Sequence, residues 1–407
     1  MSNIYKLLSC FERDGKEETP GTPVSLVNDM LDKLPSETWS DPSKKFLDPA
    51  CSTGTFLLEI VRRLNKGLAQ KIPNQEDRLR HIVENMVYGA EVYQVPYLMT
   101  RRAFSRLFNY KFNLFHGNMV EGIEGLSNMK FDVIVMNPPY QAPQEAKGKR
   151  GGGDLLWPKF VEKAINEWTP QGGVVAAVHP SGWRKPESER SKYTGMFKLM
   201  THDNHMTHLE IYDAQQGMKT FGAATRYDWY VIDKSSTGGA TTIKGQSGEE
   251  FAIDLKSYQW LPNHSFEQIS SMLGNGSGVI FNVSNYETRK DWTSQEQDST
   301  FCFPLVHSTP KKGNRFWYSS RNDKGHFGIP KVIFGESGIG DVIVDIEGEY
   351  GMTQGAMGLP VVDETDAQKA KQYLMSDEFQ NILDACSWSN FRVDWRMFTY
   401  FKEGFWR

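Results

Sequence analysis

The stretch Lys44–Leu68, KKFLDPACSTGTFLLEIVRRLNKGL, decides the fold class. KKFLDPA reads as a short strand, Cys51–Gly54 as a turn of small residues, and TFLLEIVRRLNKGL as a helix. A strand, a tight turn and a helix are the first half of a βαβ unit. Working outward, the pattern alternates. A helix around Arg78–Asn85 leads to the strand MVYGAE, then to the helix VYQVPYLMTRRAFSRLF and the strand FNLFHGN. FDVIVMNPPY is the clearest strand in the chain, apolar on both faces and ended by two prolines. LLWPKFVEKAINEW predicts a helix, GGVVAAVHP a buried strand, and HLEIYDA and RYDWYVIDK two later strands. Upstream, Gly21-Thr22-Pro23 precedes Val24, Val27, Met30, Leu31 and Leu34 at helical spacing, with Pro23 suited to a first helical turn. Continuous apolar strands between amphipathic helices indicate a doubly wound, Rossmann-like α/β domain, expected over 1–235.

At residue 235 the texture changes. SSTGGATTIKGQSGEE reads as a linker or a hairpin-rich entry, and 237 to about 360 as an irregular β-rich region. DETDAQKAKQYLMSDEFQNILDAC then reads as helix. A smaller mixed α+β domain is expected over 236–407.

Composition bounds the function. A chain of 407 residues predicts two or three domains. Lys+Arg minus Asp+Glu is 46 − 50 = −4, so this is no polybasic chain, and any nucleic-acid surface must be local. The longest apolar runs, such as Val174–Val178, fall far short of the roughly 20 residues of a membrane span. MSNIYKLLSCFERDGKEE shows no apolar leader core, and the cysteines at 10, 51, 302 and 386 are scattered. Both predict reduced thiols in a cytoplasmic setting.

Three segments carry chemistry. Asn137-Pro138-Pro139-Tyr140 ends a buried strand, where ligands of open α/β sheets bind. The prolines have no N–H and stiffen the turn. The Asn137 side-chain carbonyl and the Pro138 backbone carbonyl together accept both hydrogens of an exocyclic amino group. Tyr140 supplies a face for a flat substrate. The loop Asp48–Gly54 opens a helix, and its small residues let a ligand approach a helix N-terminus, which favours an anionic group. Neither the GxGxxG nor the Walker pattern is present. Glu91 ends a second strand, a common place for a carboxylate that bonds ribose hydroxyls.

Together LDPACSTGTFL, YGAEVY and FDVIVMNPPY resemble the motifs of S-adenosylmethionine-dependent amino-methyltransferases. More narrowly they resemble the gamma-class DNA N6-adenine methyltransferases of restriction–modification systems. In that class the cofactor motifs come first, the NPPY motif next and the target-recognition region last. GTPVSLVNDML resembles the family's additional N-terminal cofactor motif. The likeness is carried by motifs over residues 20–235 and by layout alone beyond.

The resemblance implies roles. Asp48, Ala50 and Gly54 line the loop around the methionine part of S-adenosylmethionine. Ser52 stands where the family often has Gly, and Thr22 and Pro23 close the same pocket. Glu91 takes the ribose hydroxyls. Asn118 falls where the family usually has Asp near the cofactor adenine, and Phe131 packs on that adenine. Asn137, Pro138, Pro139 and Tyr140 hold the flipped target adenine, which leaves the duplex at a cost of a few kcal/mol. Phe221 flanks it. The chemistry needs no metal and no covalent enzyme intermediate. Implied partners are double-stranded DNA and a separate endonuclease acting on the same site.

Basic residues supply candidate DNA contacts: Lys149 and Arg150 in the loop after Tyr140, and Lys311, Lys312, Arg315 and Arg321 among Phe316, Trp317 and Tyr318. Solvated loops account for both segments equally well. His202, His205 and His208 lack partners at metal-site spacing. Three alternatives stay open. They are an NPPY methyltransferase acting on RNA or on a protein glutamine, a cytosine-N4 enzyme (where Ser more often replaces Asn137), and a non-catalytic DNA-specificity subunit.

Overall fold

A computed structural model describes residues 21–142, 154–187, 191–236, 238–275, 283–388 and 396–407. Two units divide the chain, Met1–Trp183 with Glu187–Gln259, and Arg184–Pro186 with Trp260–Arg407.

The first unit begins with α1 (Val24–Asp32), which buries Leu26, Val27, Met30 and Leu31. β1 (Phe46–Asp48) is wholly buried. The turn after it feeds α2 (Thr55–Gly67), whose Phe56, Leu57, Ile60, Val61 and Leu64 all enter the core. Each such side chain contributes about 1.5–3 kcal/mol by leaving water. α3 (Gln75–His81) starts at Asn74, whose side chain accepts from the Glu76 and Asp77 amides, and a π-helical turn over Ile82–Met86 completes it. Then follow β2 (Val87–Glu91), α4 (Gln94–Leu107), β3 (Asn113–His116), β4 (Val133–Met136) and α5 (Trp157–Lys163) with a second π turn. β5 (Val174–Pro180), β6 (His205–Tyr212) and β7 (Tyr227–Asp233) complete the strands read from the sequence; α6 (Met196–Thr201) and α7 (Ala214–Phe221), which the sequence reading did not single out, lie between them.

The strands form one sheet in the order β3-β2-β1-β4-β5-β7-β6, extended by β8 (Thr241–Lys244) and β9 (Glu250–Ile253). β3, β2, β1, β4 and β5 are parallel, while β7 runs antiparallel between β5 and β6. The chain order reverses between β1 and β4, which opens a crevice at their carboxyl ends. This is the expected doubly wound α/β architecture with a mixed half.

The expected boundary at 235 moves. Within the Gly/Ser/Thr-rich segment, Thr241–Lys244 pairs parallel with β6, and β9 pairs back on it. Thr241 and Ile243 are buried and Thr242 is exposed, so the polar composition concealed a half-buried strand. The unit therefore runs to Gln259.

The second unit holds two small sheets. One has the order β10-β12-β11-β15 and the other β14-β13-β16, from β10 (Thr293–Ser294), β11 (Phe303–Ser308), β12 (Arg315–Ser319), β13 (Lys331–Gly335), β14 (Ile343–Asp345), β15 (Gly351–Met352) and β16 (Ala356–Pro360). The helix expected over 363–386 is two, Glu364–Leu374 and Asp377–Ala385. Ser376 breaks it, because its hydroxyl caps the second helix by accepting from the Phe379 amide at 3.1 Å. The first helix packs on β13 and β14, and both helices share with β13 and β16 a core that includes Val332, Phe334, Leu359, Ala370 and Phe379, together with Phe398 and Phe405. No helix among the described residues is long and apolar enough to cross a membrane.

One ion pair is buried in that unit. Lys331 Nζ donates to Asp345, and both side chains are shielded from water. Asp345 also accepts from the Glu349 and Tyr350 amides. Removing one partner of such a pair costs about 3–5 kcal/mol. Asp345→Leu, which also orphans two amides, is expected to cost more than Lys331→Met. Urea denaturation of both variants checks the order.

Candidate active site

Parallel strands deliver their carboxyl ends to one edge. Asp48 of β1 lies opposite Gly89, two residues before Glu91, and Leu47 lies opposite Ile134, three before Asn137. The three segments singled out by sequence therefore share the edge where the chain order reverses.

The loop after β1 is tightly wound. Ser52 and Gly54 adopt positive φ of 44° and 85°. A Cβ on Gly54 would come within 2.7 Å of Thr100 Cγ2, so only glycine fits. The Gly54 amide donates to the Cys51 carbonyl, and the Cys51 amide to the Ala90 carbonyl. Thr100, fully buried on α4, donates to the Ser52 carbonyl at 2.7 Å. No side chain caps α2, leaving its first amides directed out of the helix end.

Two carboxylates organise this edge. Glu91 accepts from the Ser52 amide through Oε2 and from the Tyr93 amide through Oε1, both at 2.8 Å. Asp48 Oδ1 accepts from the Ala50 amide at 3.1 Å. Burial pushes the Asp48 carboxyl up to about 8; the Ala50 bond opposes the rise and neighbouring Glu91 adds to it. Burial likewise pushes the Cys51 thiol up, an inert state.

At the end of β4, Asn137 Nδ2 donates to Thr22 Oγ1 at 3.0 Å, which leaves the amide carbonyl available to accept. Pro138 is buried, and the buried Tyr140 hydroxyl has no hydrogen-bond partner among the described residues. Burial holds that phenol above its ordinary range. The Tyr140 carbonyl accepts from the Leu156 amide at 3.1 Å and the Ala142 amide donates to the Asp154 carbonyl at 2.8 Å, so the chain returns beside Tyr140. Lys149 and Arg150 lie outside the described residues. Phe221 meets Tyr227 edge-on at 5.0 Å, and Tyr227 stacks on Tyr212 at 4.7 Å. Tyr227 pairs with Pro180 at the carboxyl end of β5, so Phe221 joins the same edge as Asn137.

Two expected cofactor contacts change. Phe131 is fully buried against Tyr88 at 5.4 Å, with its amide bonded to the Trp168 carbonyl. It precedes β4 and so sits at the amino end of the strand, opposite Asn137, where it serves the core and not a ligand. Asn118 follows β3 at the correct edge, but its side-chain carbonyl already accepts from the Val120 amide at 3.0 Å. An Asp there would offer only acceptors, whereas Asn118 has its NH2 to donate.

The remaining basic candidates belong to the second unit. Lys311, Lys312 and Arg315 are exposed around the β11–β12 hairpin. Arg321 pairs with Asp323 and lies 5.8 Å over Trp292. Lys290 and Lys324 each lie 5.5 Å over the same ring, a cluster the sequence reading did not single out because it joins two separated segments. His202, His205 and His208 bond separately to the Tyr258 carbonyl, Ser236 and Glu210. Two further features went unread. One is Thr100, whose only signal was its place one helix after Glu91. The other is the exposed apolar run Val92, Tyr93, Val95 and Leu98 beginning beside that carboxylate.

Residues 57–218 match the family model of the Eco57I restriction-modification methylases. The matched segment begins after the Asp48 loop and takes in Glu91 and Asn137–Tyr140. The chain is 27% identical over 248 residues to an uncharacterised adenine-specific methylase of Mycoplasma pneumoniae, matching 44% of this chain and 58% of that protein. It is 29% identical over 135 residues to the type II restriction enzyme and methyltransferase RM.BcgI of Heyndrickxia coagulans, matching 33% of this chain and 20% of that protein. The matched part thus spans well under two thirds of either relative. The type ISP restriction-modification enzyme LlaGI, solved as a nuclease-deletion mutant with a DNA substrate mimic, superposes with a TM-score of 0.53 at 12% identity. That match covers 93% of this chain and 46% of LlaGI, which is a likeness of fold.

The raised Asp48 pKa has a signed consequence. A protonated Asp48 favours the folded state, a contribution complete below about pH 3.8 and lost as pH rises through about 8. In the unliganded protein, Asp48→Asn is expected to gain thermal stability over the parent steadily across that window and to level off above it. Melting temperatures at fixed ionic strength check this.

Proposed function

We propose that this chain is a site-specific DNA methyltransferase that transfers a methyl group from S-adenosylmethionine to the N6 amino group of an adenine turned out of the duplex. The observation that carries the reading is the Asn137 amide. One N–H of its NH2 donates to Thr22, its carbonyl is left to accept, and it follows the strand that pairs with β1, which ends at Asp48; the backbone carbonyl of the next residue, Pro138, is the second acceptor in this reading. Two neighbouring acceptors orient an amino group, draw its lone pair out of conjugation with a ring and stabilise the charge that develops on nitrogen. Tyr140 and Phe221 supply aromatic surface to hold a base, worth about 1–3 kcal/mol by stacking.

S-adenosylmethionine fits the adjoining residues. Glu91, which holds the Ser52 and Tyr93 amides through its two oxygens, is the carboxylate that would take the ribose hydroxyls. Val92, 46% exposed, offers apolar surface next to it for a purine. Ala50, Ser52 and Gly54 give backbone access, and Thr22 and Pro23 border the pocket. Bound there, the cofactor supplies the electrophilic methyl group. The protein's task is alignment, which removes much of the entropic barrier to a bimolecular transfer. Adenine is favoured over RNA or protein targets because the relatives are named as adenine-specific or restriction-modification enzymes.

In the second unit, Lys290, Arg321 and Lys324 around Trp292, with Lys311, Lys312 and Arg315, offer contacts to phosphates. A separate endonuclease remains the implied partner, and a cytoplasmic setting suits the reaction.

The test is incubation with S-adenosylmethionine and unmethylated duplex DNA, followed by nucleoside mass spectrometry. N6-methyladenine is expected, and is expected to vanish with Asn137→Ala; methylated cytosine alone, or none, overturns the reading. Replacing Lys290 and Lys324 with Ala is expected to weaken DNA binding and to lower the slope of log K against log salt by about 2. A filter-binding titration over salt reads that slope.

A further inference from the structure

We propose that Thr22 is a positioning residue for the Asn137 amide, a role that deepens the proposed function and rests on it. The resemblance gave Thr22 to the wall of the cofactor pocket. The structure instead gives it a direct bond, from Asn137 Nδ2 to Thr22 Oγ1 at 3.0 Å, across 115 residues of sequence. Thr22 also lies outside the matched segment 57–218.

The local chain makes Thr22 a rigid acceptor. It precedes Pro23, which restricts its backbone to extended conformations. Its β-branched side chain has few χ1 choices. Pro23 is anchored in turn, since its carbonyl accepts the Val27 amide at 3.0 Å and α1 is fixed through buried Leu26, Val27, Met30 and Leu31. The hydroxyl therefore holds a fixed place beside the end of β4.

An unanchored Asn amide swings about χ2 and presents N–H groups to a substrate amino group half of its time, donor against donor. Thr22 removes that freedom by holding the amide plane. While Thr22 accepts one N–H of Nδ2, the amide plane is held with its nitrogen toward Thr22 and its carbonyl on the opposite side, and donation to Thr22 strengthens that carbonyl as an acceptor.

The test compares Thr22→Val, which keeps shape and loses the hydroxyl, with Thr22→Ser, which keeps the hydroxyl. With Thr22→Val, kcat is expected to fall roughly five- to tenfold, the factor set by one hydrogen bond. Cofactor affinity and KM for DNA should stay within about twofold, the signature of an interaction used only in the transition state. Thr22→Ser should restore kcat. In an Asn137→Ser background, which has no amide to orient, Thr22→Val should add nothing. A cofactor affinity that falls while kcat holds overturns the proposal in favour of a pocket wall, as does a Ser variant as impaired as Val. The hydrogen bond is also read without turnover. In protein labelled with 15N-asparagine, the Asn137 NH2 signal, assigned by its loss in Asn137→Asp, should show one proton protected from exchange in the parent and in Thr22→Ser but not in Thr22→Val. Protection that survives in Thr22→Val overturns the positioning role. A parent that makes no methylated nucleoside yet shows the protection overturns only the methyltransferase reading.

Discussion

Glu91 is the joint on which the edge depends. Its carboxylate accepts the Ser52 amide from the loop after β1 and the Tyr93 amide at the start of α4, and its backbone carbonyl accepts the Gly117 amide after β3 at 3.0 Å. Three loops that leave three parallel strands are thereby fixed to one residue. A carboxylate only 4% exposed is tolerable because amide dipoles point at it. Thr100 adds a second clasp by donating to the carbonyl of Ser52, whose amide Glu91 holds. The strained φ at Ser52 is thus held from both sides of its peptide units, and the loop has little freedom to collapse into the crevice.

Much of this was legible. Val133–Met136 reads as a strand buried on both faces because a central parallel strand is covered by helices above and below, and all four residues are buried. The prolines at 138 and 139 mark where ladder pairing must stop. Once the strands are taken as parallel, Asp48, Glu91 and Asn137 are bound to share an edge, since each closes its strand at the carboxyl end. Sequence spacing thus carried the core of the site without any contact being known.

What escaped followed from the limits of spacing. Phe131 precedes the same strand that Asn137 follows, and a motif quoted as one string hides that its ends lie on opposite edges of the sheet. The membership of β8 in the first unit's sheet escaped because a strand with alternate Thr and Ile buried has a composition that suits a linker as well as a hairpin. The break at Ser376 escaped because a cap competes with helix continuation on terms that apolar periodicity does not register. The Thr22–Asn137 bond and the Trp292 cluster join residues far apart in sequence, so no local pattern could announce them.

The charge count also needs its structure. A net of −4 would discourage approach by a polyanion if the acids at the crevice were free and exposed. They are neither. Asp48 stays protonated until about pH 8 because burial penalises its charge. Glu91 lies buried under two amide dipoles. Buried acids that are neutral or dipole-compensated contribute little repulsive field at a distance. A crevice can therefore hold two acidic side chains at one edge without presenting a strong repulsive field to a polyanion. The same burial that makes Asp48 costly to the free protein is what silences its charge.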